Sequence, residues 1–314
     1  MIISASRRTD IPSFYGDWFI ERLKEGYILI QNPRVADRLT RIDINRENTD
    51  CIVFWTKNAK DFIEKLDDID KLGYKYCFEY TLTGYGEDIE KNLPDLDTRI
   101  DTFIKLSKRV NKNINWRYDP IILNKKYNLK YHVKNFDYIS KKLKNYTDRC
   151  RFSFIDNYKH MDKKFRVLSE NEMDYLGRNF SKIAKRDNIV LSTCCEKINL
   201  EKYGIKNGAC IEKKYIENII GLKLDVKKDK NQRIGCKCIE TIDIGTYNTC
   251  GNGCIYCYAN YKQHDKENLL KNHNVHSPTL IGKPRGDEII TNRKVKSLVD
   301  KQISFLWRRK DGKY

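Results

Sequence analysis

Residues 246–260 read TYNTCGNGCIYCYAN and set Cys250, Cys254 and Cys257 in a C-x3-C-x2-C spacing. Thiolates bind soft metals because sulfur donates strongly and loses its proton on coordination. Structural zinc takes four protein ligands, and this stretch supplies three. A 4Fe–4S cluster on three thiolates keeps one iron open to a small chelating molecule. A zinc knuckle and unmetallated thiols are the alternatives. Four further cysteines, Cys194, Cys210, Cys236 and Cys238, fall in STCCEK, NGACIE and IGCKCIE. Converging, they would hold a second iron–sulfur cluster or a zinc ion. Cys195 is a fifth candidate beside Cys194, and scattered core cysteines are the plainer reading. Cys51, Cys77 and Cys150 sit within or at the start of strand-like runs and read as packing residues.

Short apolar runs must position these groups. They are IISAS at 2–6, CIVFWT at 51–56, YCFEYTL at 76–82, INWRYDPIIL at 114–123, CRFSFID at 150–156, NIVLSTC at 188–194 and ETIDIG at 240–245. Several are nearly continuous in apolar residues, as buried parallel strands are. Amphipathic helical patterns at 14–26, 97–110 and 171–188 lie between them. Alternation of this kind predicts an α/β fold with a parallel sheet. About seven units favour a full or partial βα (TIM-like) barrel over a doubly wound sheet.

Reactive groups in such folds follow the carboxyl ends of strands. That rule selects Arg7, Arg8 and Asp10, then Lys57, then Thr81 and Thr83, then Arg117 and Asp119. Asp156, Asn157, Lys159 and His160 come next, then Cys194, Cys195 and Glu196, and last the three-cysteine stretch. Arginine suits bidentate binding of carboxylate or phosphate, and an Arg–Asp brace is the alternative at residues 7–10. Arg117 and Asp119 share a strand face, so inside a barrel they need each other or a ligand. Catalytic candidates are therefore Arg7, Arg8, Asp10, Lys57, Arg117 and Asp119. The barrel is expected over 1–263. Residues 264–314 form a polar extension with a packing helix, marked by Val295, Leu298, Val299, Ile303 and Leu306 at helical spacing.

The chain has 314 residues and a formal charge of +18, which points to phosphate- or carboxylate-bearing partners, nucleic acid first. The opening residues lack the apolar core of a signal peptide, and no run reaches membrane-span length. A cytoplasmic location with no membrane partner is expected. The 11 cysteines are then reduced thiols, and their clustering suggests metal.

CGNGCIYC is similar to the C-x3-C-x-aromatic-C signature of the radical S-adenosylmethionine (SAM) enzymes. The resemblance implies that Cys250, Cys254 and Cys257 hold a 4Fe–4S cluster whose open iron binds the amino and carboxylate groups of SAM. Reductive cleavage of the sulfonium then yields a 5′-deoxyadenosyl radical that takes hydrogen from a substrate. It sets Tyr256 beside the adenine, makes Arg8 and Asn260 further cofactor contacts, and implies an electron donor such as flavodoxin or ferredoxin. YCYAN and WRYDPIIL also resemble spore photoproduct lyase and its relatives, which with the charge points to nucleic acid as substrate. Over residues 3 to about 260 the chain resembles the DUF1848 family, through ISASRRTDIPSFYGDWF, VFWTKN, YTLTGYG, RYDPIIL, FSFIDNYKH, GIKNGAC and IDIGTYNTCGNGCIYCYAN. In radical SAM enzymes the motif follows the first strand, whereas here it follows the last. A circular permutation reconciles the two, with ETIDIG first and IISAS pairing beside it. No glycine-rich SAM segment is found, so Arg7, Arg8 or Asp10 would take that role. The rival class is a zinc-stabilised nucleic-acid-binding protein without redox chemistry.

Overall fold

The computed structural model describes residues 1–33, 35, 37–156, 165–233, 235–260 and 271–301. The apolar runs become strands of one parallel sheet. In chain order these are β1 (Ile2–Ala5), β4 (Cys51–Thr56), β5 (Tyr76–Thr81), β6 (Ile114–Ile121), β7 (Arg149–Phe154), β8 (Val190–Cys194), β9 (Lys206–Gly208) and β10 (Ile242–Asp243). Their spatial order is β10-β1-β4-β5-β6-β7-β8-β9. The expected neighbours are present: Ile3 and Ser4 of β1 pair in parallel with Ile242 and Asp243 of β10. A smaller sheet orders β11 (Ile289–Asn292), β3 (Arg38–Asp43) and β2 (Tyr27–Gln31).

The sheet is open. Its end strands, β9 and β10, are not paired with each other, so a full TIM-like barrel is not formed among the described residues. Residues 209–241 join these ends. They carry α7 (Lys213–Ile220) and irregular chain that packs against the sheet instead of extending it.

Side chains alternate across a strand, and the two faces differ in chemistry. One face holds Phe54, Phe78, Trp116 and Phe152 in the main core. The helices α2 (Gly16–Glu25), α4 (Leu96–Arg109), α5 (Leu129–Leu143) and α6 (Glu170–Arg186) cover it. A capping box between Ser169 and Glu172 starts α6, satisfying amides the helix cannot. On the other face Cys51, Val53 and Cys77 pack with Ile211, Ile216 of α7, Leu224 and Ile239. Further along that face lie buried Glu79, Asn115, Arg117 and Arg151. Glu79 accepts from Asn115 Nδ2 and Arg151 Nη1, each at 2.7 Å.

Phe180 of α6 stacks on Phe136 at 4.1 Å and meets Tyr118 and Phe152 edge-on. Phe180→Ala is expected to cost about 3–5 kcal/mol, read by urea denaturation, because the cavity cannot collapse between three rings.

The extension departs from its expected form. Residues 271–301 return to the body of the protein: β11 pairs in parallel with β3, and Leu298 and Val299 pack on the second cluster. Residues 295–300 carry no helix, and Val299 forms an isolated bridge. Asp50 accepts from the Leu298 amide at 2.8 Å, and Val299 bridges Leu224. Backbone pairing explains the apolar spacing there. Ile303 and Leu306 lie outside the described residues. No helix among the described residues is long and apolar enough to cross a membrane.

Candidate functional site

The carboxyl ends of the strands open into a cavity of about 550 Å³. All six catalytic candidates line it, and so do Cys250, Cys254, Cys257 and Tyr256, with Cys194, Cys195, Cys210, Cys236 and Cys238. The position rule therefore gathers residues from 7 to 257 at one mouth. Asn157, Lys159 and His160 lie outside the described residues.

The three-cysteine loop is pinned to residues 89–92. Ile255 N–H donates to Ile89 O at 3.0 Å, Asn92 N–H to Asn252 O at 3.1 Å, and Asn92 Nδ2 to Gly251 O at 2.8 Å. Gly253 has φ +68°, and a Cβ there would stand 2.9 Å from Asn92 Nδ2, so glycine is needed for both reasons. Burial raises the pKa of all three thiols, that of Cys254 up to about 12, while Lys57 beside Cys254 works in the opposite direction.

Glu90, which the residue pattern did not mark, organises this wall. It is fully buried and accepts from Lys57 Nζ at 2.8 Å, Thr83 Oγ1 at 2.9 Å, Arg99 Nη1 at 3.0 Å and Tyr256 Oη at 2.5 Å. Burial alone would raise its pKa. Lys57 and Arg99 overcome that and hold it at about 2. Burial likewise opposes the Lys57 ammonium, but Glu90 and Cys254 keep its pKa above the ordinary lysine value. The ammonium stands 5.4 Å over the Tyr256 ring. No sequence signal separates Glu90 from the other acidic residues of GYGEDIEKN.

Asp10 ties loops through hydrogen bonds, and it forms no ion pair with Arg7 or Arg8 among the described residues. It accepts from Ser13 N–H at 3.1 Å, Lys57 N–H at 2.8 Å and Asn252 Nδ2 at 3.0 Å, tying three loops together. Asp243 does the same for the first strand, accepting from Ser4, Ser6 and the Arg7 amide. Arg8 reaches Gly245 O at 3.3 Å and lies over Tyr247. The guanidiniums of Arg7 and Arg117 lie over the Trp55 ring, 4.9 and 4.8 Å from its centre. Arg117 pairs with Asp119, which also accepts from Ser153, and Arg117 Nη1 reaches Cys210 Sγ at 2.8 Å and Glu79 at 3.7 Å. Asn260 is not on the cavity wall. Its amide holds Cys250 O at 3.0 Å, because the chain turns back on itself after Cys257.

Cys51, Cys77 and Cys150 are buried in packing positions. Among the described residues, no group of three or more His, Cys, Asp or Glu side chains is arranged, as it stands, to hold a metal ion.

Fold and site together define an α/β protein with an open parallel sheet and a cysteine-lined cavity at its carboxyl edge. The chain belongs to the DUF1848 family, a domain of unknown function, whose model matches residues 2–259. No curated protein matches it. A crystal structure titled as a "putative alpha-L-fucosidase" from Bacteroides thetaiotaomicron is 10% identical, over 71% of this chain and 84% of that one. Its TM-score of 0.28 is too low to carry an argument.

Proposed function

We propose that the protein is a radical SAM-like iron–sulfur enzyme, its sheet a partial, circularly permuted βα barrel. Cys250, Cys254 and Cys257 would hold a 4Fe–4S cluster. The observation that carries the reading is that the three thiols share one cavity wall with Lys57, Asp10 and Asn252, and their loop contributes no fourth thiol. A cluster spreads its thiolates over separate irons, so the spacing of a single-ion site is not required. When bound, the cluster with SAM at its open iron supplies a strongly oxidising radical to the substrate.

The chain's own residues do the remaining work. Lys57, held by Glu90, offsets thiolate charge at Cys254. Tyr256 presents its ring at the wall with its hydroxyl fixed on Glu90. Arg8 offers a cation for a carboxylate. Asp10 holds the cysteine loop against the β1 and β4 ends. The charge of +18 supports a nucleic-acid substrate, and a cellular electron carrier would feed the cluster.

The test is anaerobic purification with iron and sulfide analysis, followed by SAM and dithionite. Iron with sulfide and release of 5′-deoxyadenosine support the enzyme. Colourless protein carrying only zinc after anaerobic reconstitution sinks it and favours a zinc-stabilised nucleic-acid-binding protein. A cluster without 5′-deoxyadenosine also overturns it, in favour of an electron carrier.

A further inference from the structure

The four remaining cavity cysteines stand where the sheet fails to close. Cys194 ends β8, and Cys210 lies two residues past β9. Cys236 and Cys238 come from the chain entering β10, at the opposite end of the sheet. Only sparse backbone contact joins the two sides here, including Ile239 N–H to Ile211 O at 3.1 Å. The thiols meet across the gap. Cys194 and Cys210 sulfurs are 2.9 Å apart, and Cys236 and Cys238 pack with Cys210 in one cluster and line the same cavity. The Ile211 amide donates to Cys238 Sγ at 3.4 Å.

We infer that Cys194, Cys210, Cys236 and Cys238 form a tetrathiolate site for a soft metal, and that this centre staples the two ends of the sheet together. Four thiols from three separate segments are the complement of a closed structural site. Cations stand against the thiols: Arg117 Nη1 lies 2.8 Å from Cys210 Sγ. Arg7 faces Cys238 and Cys210, and its Nη2 is buried without a hydrogen-bond partner. Bonds of about 2.3 Å to a tetrahedral ion set sulfurs about 3.8 Å apart. Cys194 and Cys210 must therefore part by about 1 Å, a rotamer-scale adjustment. Their contact is also well beyond the roughly 2.05 Å of a disulfide. A covalent-strength link here closes residues 194–238 onto β10, where backbone pairing is missing.

The experiment separates this centre from the three-cysteine site. A Cys250→Ser/Cys254→Ser/Cys257→Ser variant is purified anaerobically and its metal measured. About one zinc per chain, or iron with sulfide, remains if the staple exists. Zinc and iron–sulfide are two forms of the same thiolate chemistry, told apart by elemental analysis. Adding Cys236→Ser and Cys238→Ser lowers that metal at least about tenfold. Stripping the triple variant with a chelator speeds amide exchange at residues 206–211 and 238–243, a readout that does not depend on the added substitutions folding. A metal-free triple variant, a Cys194–Cys210 disulfide in the peptide map, or unchanged exchange after stripping overturns the inference. Absence of SAM cleavage in the unsubstituted protein, with this metal still found in the triple variant, would count against the proposed function alone.

Discussion

Serine in place of Cys254 is expected to abolish 5′-deoxyadenosine release and to remove the iron and sulfide of the three-cysteine site, leaving at most the metal held by Cys194, Cys210, Cys236 and Cys238, with the fold retained. Loss of an outer-shell partner alone typically costs 10–100-fold in metal affinity, and a first ligand costs more. Cys254 is the most informative of the three. It forms an isolated bridge with Glu90, and Lys57 acts on its thiol. Serine keeps the shape and the backbone bridge, so the effect reads ligation and not folding. The measurement is iron and sulfide per chain after anaerobic reconstitution, with circular dichroism as the control for fold. Full iron content in the variant would remove Cys254 from the cluster and with it the C-x3-C-x2-C reading.

Glu90→Ala is expected to destabilise the protein by about 3–5 kcal/mol, measured by urea denaturation at neutral pH. Removing one partner leaves Lys57 and Arg99 as buried charges without their counter-ion. The wild-type contribution has a defined pH window. Glu90 is held at about 2 in the folded protein against an ordinary value of 4.5. Its stabilisation is therefore fully present above about pH 4.5 and is lost as pH falls toward 2. The gap between wild type and variant should narrow over that window and stay constant above it. A cost below about 1 kcal/mol at pH 7 would show that Glu90 is not the hub of this wall.

Much of the scaffold was legible because its signals are local. Seven apolar runs marked strands of the main sheet, each within two residues at either end, and the pairing of ETIDIG beside IISAS was found in β10 and β1. Strands β2, β3 and β11 were missed. They form a small sheet in which β11 is exposed along its whole length, and the buried residues of β2 and β3 (Ile28, Leu29, Leu39 and Ile42) do not alternate strictly. Strand β9 is three residues long and holds Gly208, too little for any periodic signal. The apolar spacing from Val295 was read as helical because a few apolar residues satisfy either period when the chain is pinned by pairing instead.

The sequence by itself determined which residues can ligate metal. Cysteine spacing is a covalent property of the chain, and the carboxyl-end rule follows from parallel strands. Only the tertiary structure decided what those residues face. It joined Glu90 to Lys57 and Arg99, turned Asp10 into a tie between loops and Asn260 into a loop clamp, and left the sheet open where four thiols from residues 194–238 meet. These outcomes depend on burial and pairing between segments far apart in the chain. Coulombic attraction and desolvation act on distance in space, and no local pattern of residues encodes that distance.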